Sequence, residues 1–366
     1  MNATFCNNLT CRNGTNPSNS GSYSIWSTIL IVGSIAGFIP NVIMIVGIHK
    51  KKTLQKPTYY LIANLAVCDL MLSFTTLLNM IIPAITTQVY TSRIAHTIMC
   101  KLLATFPAYW SYTASVQTLI IISAERYQAI FRPLNKLTAK RAKALCIFAW
   151  GISFVISFPI IITTQSVDRN GSQFSCIEYM PYSVWITIIY MILFVFQFAL
   201  PAVVMIVLYS LILRQLRKRS VAGQNESSRS KILKRKSIYM VLVTTVIFFI
   251  FSSPWAISLA IIAMLGNNLA SELAKNPTLA AVLWISRFTL PFTAIYNPIV
   301  YCIFNQPIRH LFFPCCNTAT SKIDIVDNNV ISNVKIASTT SNLVDLTATK
   351  DFSKLIKQDT VTSMAE

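Results

Sequence analysis

Seven apolar runs, each long enough to cross a bilayer, divide this chain at 25–48, 59–85, 98–122, 145–164, 184–213, 238–265 and 279–304. About 20 such residues cover the hydrocarbon core as a helix. Water is absent there, so each backbone group must be paired inside the protein, and a run of this length does so as a helix. The 366 residues would otherwise suggest two or three soluble domains. A charged content of 12% is about half that of a soluble domain and removes that option. It also sets aside a soluble enzyme, a disordered chain and a small disulfide-stapled module. Pro40, Pro83, Pro107, Pro159, Pro201, Pro254, Pro291 and Pro298 fall in or near the runs, where kinks are expected.

The formal charge of +19 would point a soluble chain toward nucleic acid, but its placement excludes that. The connections after the first, third and fifth runs hold nineteen Lys and Arg, from Lys50 to Lys236. The N-terminal segment and the other three connections hold four: Arg12, Arg93, Arg169 and Lys275. The bias puts the N-terminus outside and the C-terminus in the cytosol. Glycosylation triplets at Asn2, Asn8, Asn13 and Asn170 lie on the outer side, and a fifth at Asn225 on the inner. No cleaved signal peptide is evident, and the first run is expected to act as a signal anchor. The nine cysteines show no paired metal-ligand spacing and only three His accompany them, so zinc is not expected. The Ser/Thr-rich segment 317–366 reads as disordered. No internal repeat of the kind found in transporters is visible.

Several motifs stand in order along the runs. Asn41 lies in the first, Leu65-Ala66-Val67-Cys68-Asp69-Leu70 in the second, and Glu125-Arg126-Tyr127 ends the third, with Pro133-Leu134 beyond. Trp150 lies in the fourth, Pro201 and Tyr209 in the fifth, Phe248 and Pro254 in the sixth, and Asn297-Pro298-Ile299-Val300-Tyr301 in the seventh. Over residues 25–316 the chain resembles the rhodopsin-like (class A) G-protein-coupled receptors, most closely their neuropeptide-type members. The resemblance implies an all-α membrane protein, a seven-transmembrane helix bundle with a short amphipathic eighth helix. Its parts are an extracellular glycosylated segment (1–24), the bundle (25–304), a membrane-surface helix (305–316) and the cytosolic tail (317–366).

Asp69 is the one acid within the interior of a run, and an ionisable group at that depth needs partners. If the bundle folds as in the family, Ser115, Asn297, Thr293 and Asn41 supply them, and the cluster holds either an allosteric sodium ion or a protonated carboxyl. Glu125 is expected to hold the Arg126 guanidinium at rest, and its release opens the cytosolic cleft for a heterotrimeric G protein. Tyr127, Tyr209, Asn297, Pro298 and Tyr301 complete that switch by resemblance. The acid often found at the inner end of the sixth helix is replaced by Lys234-Arg235-Lys236, so raised basal activity is expected. Cys100 and Cys176 are expected to form a disulfide on the oxidising side. Their spacing carries one anomaly: Cys100 stands 26 positions before Arg126, one more than in the family, which leaves the outer register of the third helix open. Cys6 and Cys11 either pair or stay free. Cys315 and Cys316 follow the stretch resembling the eighth helix and are palmitoylation candidates. Ser338, Thr339, Thr340 and Ser341 are candidates for receptor kinases and arrestin.

Departures from the family bear on the ligand. No lysine lies in the seventh run, which argues against a retinal Schiff base, and Ala108 or Pro107 stands where amine receptors carry an aspartate. Ser252 stands where the family has a tryptophan, with Trp255 three positions on. Arg287, basic and in the outer half of a run, pairs either with a ligand carboxylate or with Glu178, Glu272 or a carbonyl. Tyr109, Trp110, Gln197, Trp255 and Trp284 are the remaining candidate ligand contacts, with an interfacial belt as their other reading. The expected protein is a multi-pass plasma-membrane receptor, not an enzyme, with a peptide ligand and no cofactor beyond possible sodium. A class A receptor for an acidic lipid or small carboxylate is the alternative, and a transporter the remote one.

Overall fold

A computed structural model of the chain describes residues 17–88, 93–134, 137–168, 174–177, 184–221 and 228–313. Two compact units separate, Met1–Leu311 and Phe312–Glu366. The first carries the fold. Of the second, only Phe312 and Phe313 are among the described residues.

Six stretches are long and apolar enough to span a membrane: Ser27–Lys50, Pro57–Ile82, Ala139–Thr163, Val184–Lys218, Lys236–Asn268 and Pro277–Phe304. The remaining span, third in order, comprises α3 (Arg93–Met99), a π-helical turn (Cys100–Thr105) and α4 (Phe106–Phe131). It is less apolar because its buried face carries Ser111, Thr113, Ser115, Thr118 and Ser123. Most of these hydroxyls return to their own helix: Thr113 donates to the Tyr109 carbonyl (2.7 Å), Thr118 to Ala114 (2.6 Å) and Ser123 to Leu119 (2.8 Å). A polar helix face is thereby made compatible with a dry interior.

The helices run past the apolar stretches, since backbone pairing continues into the interface. α1 covers Pro17–Lys50, α2 Pro57–Gln88, α5 Ala139–Ser157, α9 Ser228–Leu265 and α11 Pro277–Phe304. Proline decides several breaks, because it lacks an N–H and clashes with the carbonyl four residues back. α5 stops before Pro159, and α6 (Ile160–Thr163) restarts after it. In the fifth span a π turn (Val195–Ala199) joins α7 (Val184–Phe194) to α8 (Leu200–Val221), just before Pro201. In the third span the π turn ends just before Pro107.

That π turn accounts for the extra residue between Cys100 and Arg126. A π turn closes i→i+5 rather than i→i+4 and takes up one residue without breaking the helix. From Phe106 to Phe131 the span is unbroken α-helix, so the register set at Arg126 holds out to Ala108.

The spans close into a bundle. α1 packs on α2 and α11, α2 on α4, α4 on α5 and α8, and α9 on α7 and α11. Val32, Val155, Ile206 and Ile250 face outward and are exposed, as a lipid-facing surface requires. The first, second and seventh spans meet closely at Gly37, where a Cβ would come within 2.7 Å of Ser73 Oγ and 3.2 Å of Ala294 Cβ. Between α6 and α7 lies an antiparallel hairpin, β1 (Gln165–Asp168) and β2 (Phe174–Ile177), with Ser166 opposite Cys176. It is the one extended element among the described residues. α10 (Leu269–Lys275) follows Gly266, whose φ of +46° suits glycine. At the far end, Asn305 accepts from the Ile308 amide (3.3 Å) and starts the short α12 (Gln306–Phe312).

Candidate functional site

The bundle interior divides into three levels, from the disulfide end to the end that carries the basic connections. At the first, Cys176 on β2 is bonded to Cys100 in the π turn, with Cα atoms 5.8 Å apart. The hairpin is thus tied to the third span. His96 lies one turn earlier, its Nδ1 3.5 Å from Cys100 Sγ. His96, Cys100 and Cys176 lie close enough to share a metal ion. Both sulfurs are committed to the disulfide, so neither is a thiolate ligand.

Below the disulfide the third and sixth spans meet through aromatic rings. Tyr109 and Trp255 contact edge-on, with centroids 5.2 Å apart. One turn deeper Tyr112 stacks on Phe248 at 5.7 Å and 13°. Gln197, in the fifth-span π turn, donates from Nε2 to Thr113 Oγ1 (2.7 Å), which also lies 2.9 Å from Ser157 Oγ. Three buried polar atoms here lack a hydrogen-bond partner: Tyr112 OH, Trp255 Nε1 and Gln197 Oε1. Trp110, a candidate contact from the sequence, turns away. Its Nε1 donates to the Trp150 carbonyl (2.9 Å), and its ring packs against Phe106, Trp150 and Phe154. It fills the interface between α4 and α5. Arg287 and Trp284 lie on α11, with side chains outside the described residues. Glu272 is paired with Lys275 at 3.2 Å.

The second level is polar and hydrogen-bonded. Asp69 is 1% exposed. Asn297 donates to its Oδ2 (2.6 Å) and Ser115 to its Oδ1 (3.4 Å). Asn41 takes a different part: its amide donates to the carbonyls of Gly37 (2.8 Å) and Ala294 (2.9 Å), joining α1 to α11. Thr293 donates to the Leu290 carbonyl (2.6 Å). One turn below Asp69, Asn64 joins three spans. Its Nδ2 donates to Thr118 Oγ1 (2.8 Å) and its Oδ1 accepts from Trp150 Nε1 (3.0 Å).

At the third level the Arg126 Nε lies 3.2 Å from Glu125 Oε2, both side chains being largely buried. Thr58 donates to Glu125 Oε1 (3.2 Å), so the second span helps fix the carboxylate that holds the guanidinium. The Tyr209 hydroxyl is hydrogen-bonded to Ser123 Oγ (2.9 Å) and to Thr245 Oγ1 (3.1 Å). It joins the third, fifth and sixth spans beside Arg126. Tyr127 stacks along its own helix on Phe131 at 4.3 Å. Tyr301 is buried, and Pro298 lies inside α11.

The structure thus brings together Asp69, Ser115 and Asn297, and separately Glu125 and Arg126. It adds Thr58, Asn64, Tyr112, Thr118, Ser123 and Thr245, which the motifs did not single out. Their one signal in the sequence is a polar side chain inside an apolar run or, for Thr58 and Ser123, next to the end of one. Asn2, Asn8, Asn13, Asn170, Cys6, Cys11, Cys315 and Cys316 lie outside the described residues, as do Glu178 and the tail.

The family model described as 7 transmembrane receptor (rhodopsin family) matches residues 40–301. Among similar proteins, Melanopsin-A of Danio rerio is 28% identical over 311 residues, covering 80% of this chain and 50% of that protein. C-X-C chemokine receptor type 1 of Rattus norvegicus is 25% identical over 277 residues, covering 74% of each. Rhodopsin of Gambusia affinis is 24% identical over 294 residues, covering 77% of this chain and 78% of that protein. The chain spans half the length of the melanopsin it matches.

Proposed function

The chain belongs to the rhodopsin family of seven-transmembrane receptors, and from that premise we propose that it binds an extracellular peptide and activates a heterotrimeric G protein. The observation that carries this reading is the basic end of the bundle. Arg126 is held by Glu125, Glu125 by Thr58, and Tyr209 bridges three spans beside them. Every one of these contacts crosses or borders the surface that must part for a G protein to enter. A ligand at the disulfide end shifts the population toward the parted state by as much as it prefers that state.

Support for a peptide comes from the other end. Ala108 leaves an amine without a carboxylate, and the seventh span has no lysine for a Schiff base. Gln197 Oε1 is an unpaired acceptor and Trp255 Nε1 an unpaired donor. A peptide backbone supplies complements to both, and Arg287 suits a terminal or side-chain carboxylate. An acidic lipid or small carboxylate would use Arg287 but leave the amide-matching groups idle. The disulfide end then faces outward and the basic end the cytosol, at the plasma membrane. Glycans at the outer Asn residues, palmitoyl groups on Cys315 and Cys316, and kinases and arrestin at the tail complete the reading.

Asp69, Ser115 and Asn297 fit a sodium ion, since Asn297 Oδ1 is buried without a partner beside the Asp69 carboxylate. Bound there, the ion would neutralise the carboxylate's charge. Asn41 is turned to backbone carbonyls and lies outside that set.

The test is a peptide-library screen on cells expressing the chain, with nucleotide exchange as readout and Arg287→Ala in parallel. A peptide hit weakened both by Arg287→Ala and by C-terminal amidation supports carboxylate recognition. A hit indifferent to both keeps the peptide and returns Arg287 to a structural role. Response to acidic lipids alone overturns the peptide reading.

A further inference from the structure

The contact between the third and sixth spans carries its bulk on an unexpected side. Trp255, Ser252 and Phe248 succeed one another at intervals of three and four along α9, so they share a face, and all three are buried. Between the two aromatic residues the sixth span offers only a serine. The Ser252 hydroxyl donates to its own helix, at the Phe248 carbonyl (2.7 Å). The third span fills that level instead. Tyr112 is among the largest fully buried side chains of the protein, and its ring lies nearly parallel to Phe248.

The Tyr112 hydroxyl faces Ser252 without a hydrogen bond of proper geometry. A buried O–H without a well-formed bond is costly, so packing against Phe248 does most to hold the ring. Any rotation that finds the hydroxyl a partner is favoured. Both ends of the ring's surroundings are connected. Outward, Tyr109 stands three residues away on the same helix and touches Trp255. Inward, Phe248 meets Phe249 edge-on at 5.9 Å, and Phe249 meets Phe198 of the fifth-span π turn at 5.4 Å.

We infer that Tyr112, on the third span, is the positioning residue that couples the ligand end to the sixth span. In the arrangement seen here, with Arg126 on Glu125, the Tyr112 ring pins Phe248 and keeps the inner part of α9 against α4. Rotation of the ring releases Phe248. This rests on the receptor reading above.

The experiment measures ligand-free nucleotide exchange on a purified heterotrimeric G protein, per folded full-length receptor, in lipid discs. Tyr112→Ala and Tyr112→Leu each raise exchange about fivefold, the scale on which an aromatic pair shifts a two-state balance. Leu keeps most of the volume and decides the matter if the Ala variant does not fold. Ser252→Trp alone lowers the yield of folded receptor, because its level is already full. Combined with Tyr112→Ala, it returns both yield and exchange to about the native values, the bulk having moved back across the interface. Rescue of yield without rescue of exchange makes Tyr112 a space filler and overturns the inference. So do Tyr112→Ala and Tyr112→Leu exchange rates within about twofold of native. Arg126→Ala is run alongside: a native rate no higher than that of Arg126→Ala defeats the receptor reading and the inference together. A native rate above it, with inert Tyr112 variants, defeats the inference alone.

Discussion

The two halves of the bundle join their spans by different contacts. In the half toward the basic connections, Asn64, Asp69, Thr118, Glu125 and Tyr209 each have a hydrogen-bond partner on another span. In the half toward the disulfide, the spans meet through rings, and Tyr112 OH, Trp255 Nε1 and Gln197 Oε1 are left over. Hydrogen bonds between spans fix one geometry more tightly than ring contacts do, and the inner half's own leftover atoms, Glu125 Oε2, Arg126 Nε and Asn297 Oδ1, lie within the Glu125–Arg126 pair and beside Asp69. The inner half is therefore the more heavily cross-linked of the two, and under the proposed function the outer half is where a ligand adds its contacts. The motif residues lie in the first half and most departures from the family pattern in the second, which is why the sequence names the machine sooner than its input.

The largest effect that sharpens this contrast is at Arg126. Arg126→Ala is expected to lower ligand-driven nucleotide exchange at least about tenfold while ligand affinity in the absence of G protein stays within about threefold. Radioligand binding and exchange assays on the same membranes separate the two, and equal losses in both would break the division into halves. Next comes Asn64→Leu, which orphans the Trp150 indole N–H. It is expected to cost about 1–3 kcal/mol, the penalty for a buried unpaired donor, read as a lower midpoint of thermal unfolding in detergent. The smallest and sharpest test is one chemical change made twice. Tyr209→Phe removes a hydroxyl that has two partners and is expected to lose about 1 kcal/mol. Tyr112→Phe removes one whose approach to Ser252 falls short of a full hydrogen bond and is expected to leave the unfolding midpoint unchanged or higher. Equal destabilisation at both sites would erase the distinction.

The spans were plain in the sequence because hydrocarbon thickness leaves a chain few alternatives. Six of the seven also pass on length and apolarity in the structure. The third is masked by hydroxyls that return to their own backbone, a property that composition reads as polarity. The π turn left a trace, the extra residue before Arg126, but not its place, since an i→i+5 turn has no composition of its own. The hairpin's four-residue strands are too short to stand out between spans. Among site residues, Glu125 and Arg126 were legible because they stand with Tyr127 as a motif at the end of the third run. Asn64, Ser123 and Thr245 were not, because an amide or hydroxyl in a helix acquires meaning only from what lies opposite. Trp110 illustrates the converse: an aromatic residue at the right depth whose direction around the helix only the packed bundle decides.

The π turn in the third span has a consequence for how such a chain changes over generations. One residue corresponds to about 100° of rotation around an α-helix. A deletion within a membrane span would therefore ordinarily turn everything beyond it onto the wrong face. Between Cys100 and Thr105 the helix already stores one residue more than its contacts require. Loss of one there would tighten the coil to ordinary pitch, with the disulfide and the Arg126 end keeping their orientations. The span thus contains a point of indel tolerance. The outer helix becomes a dial that inheritance can turn by one notch without disturbing the signalling end.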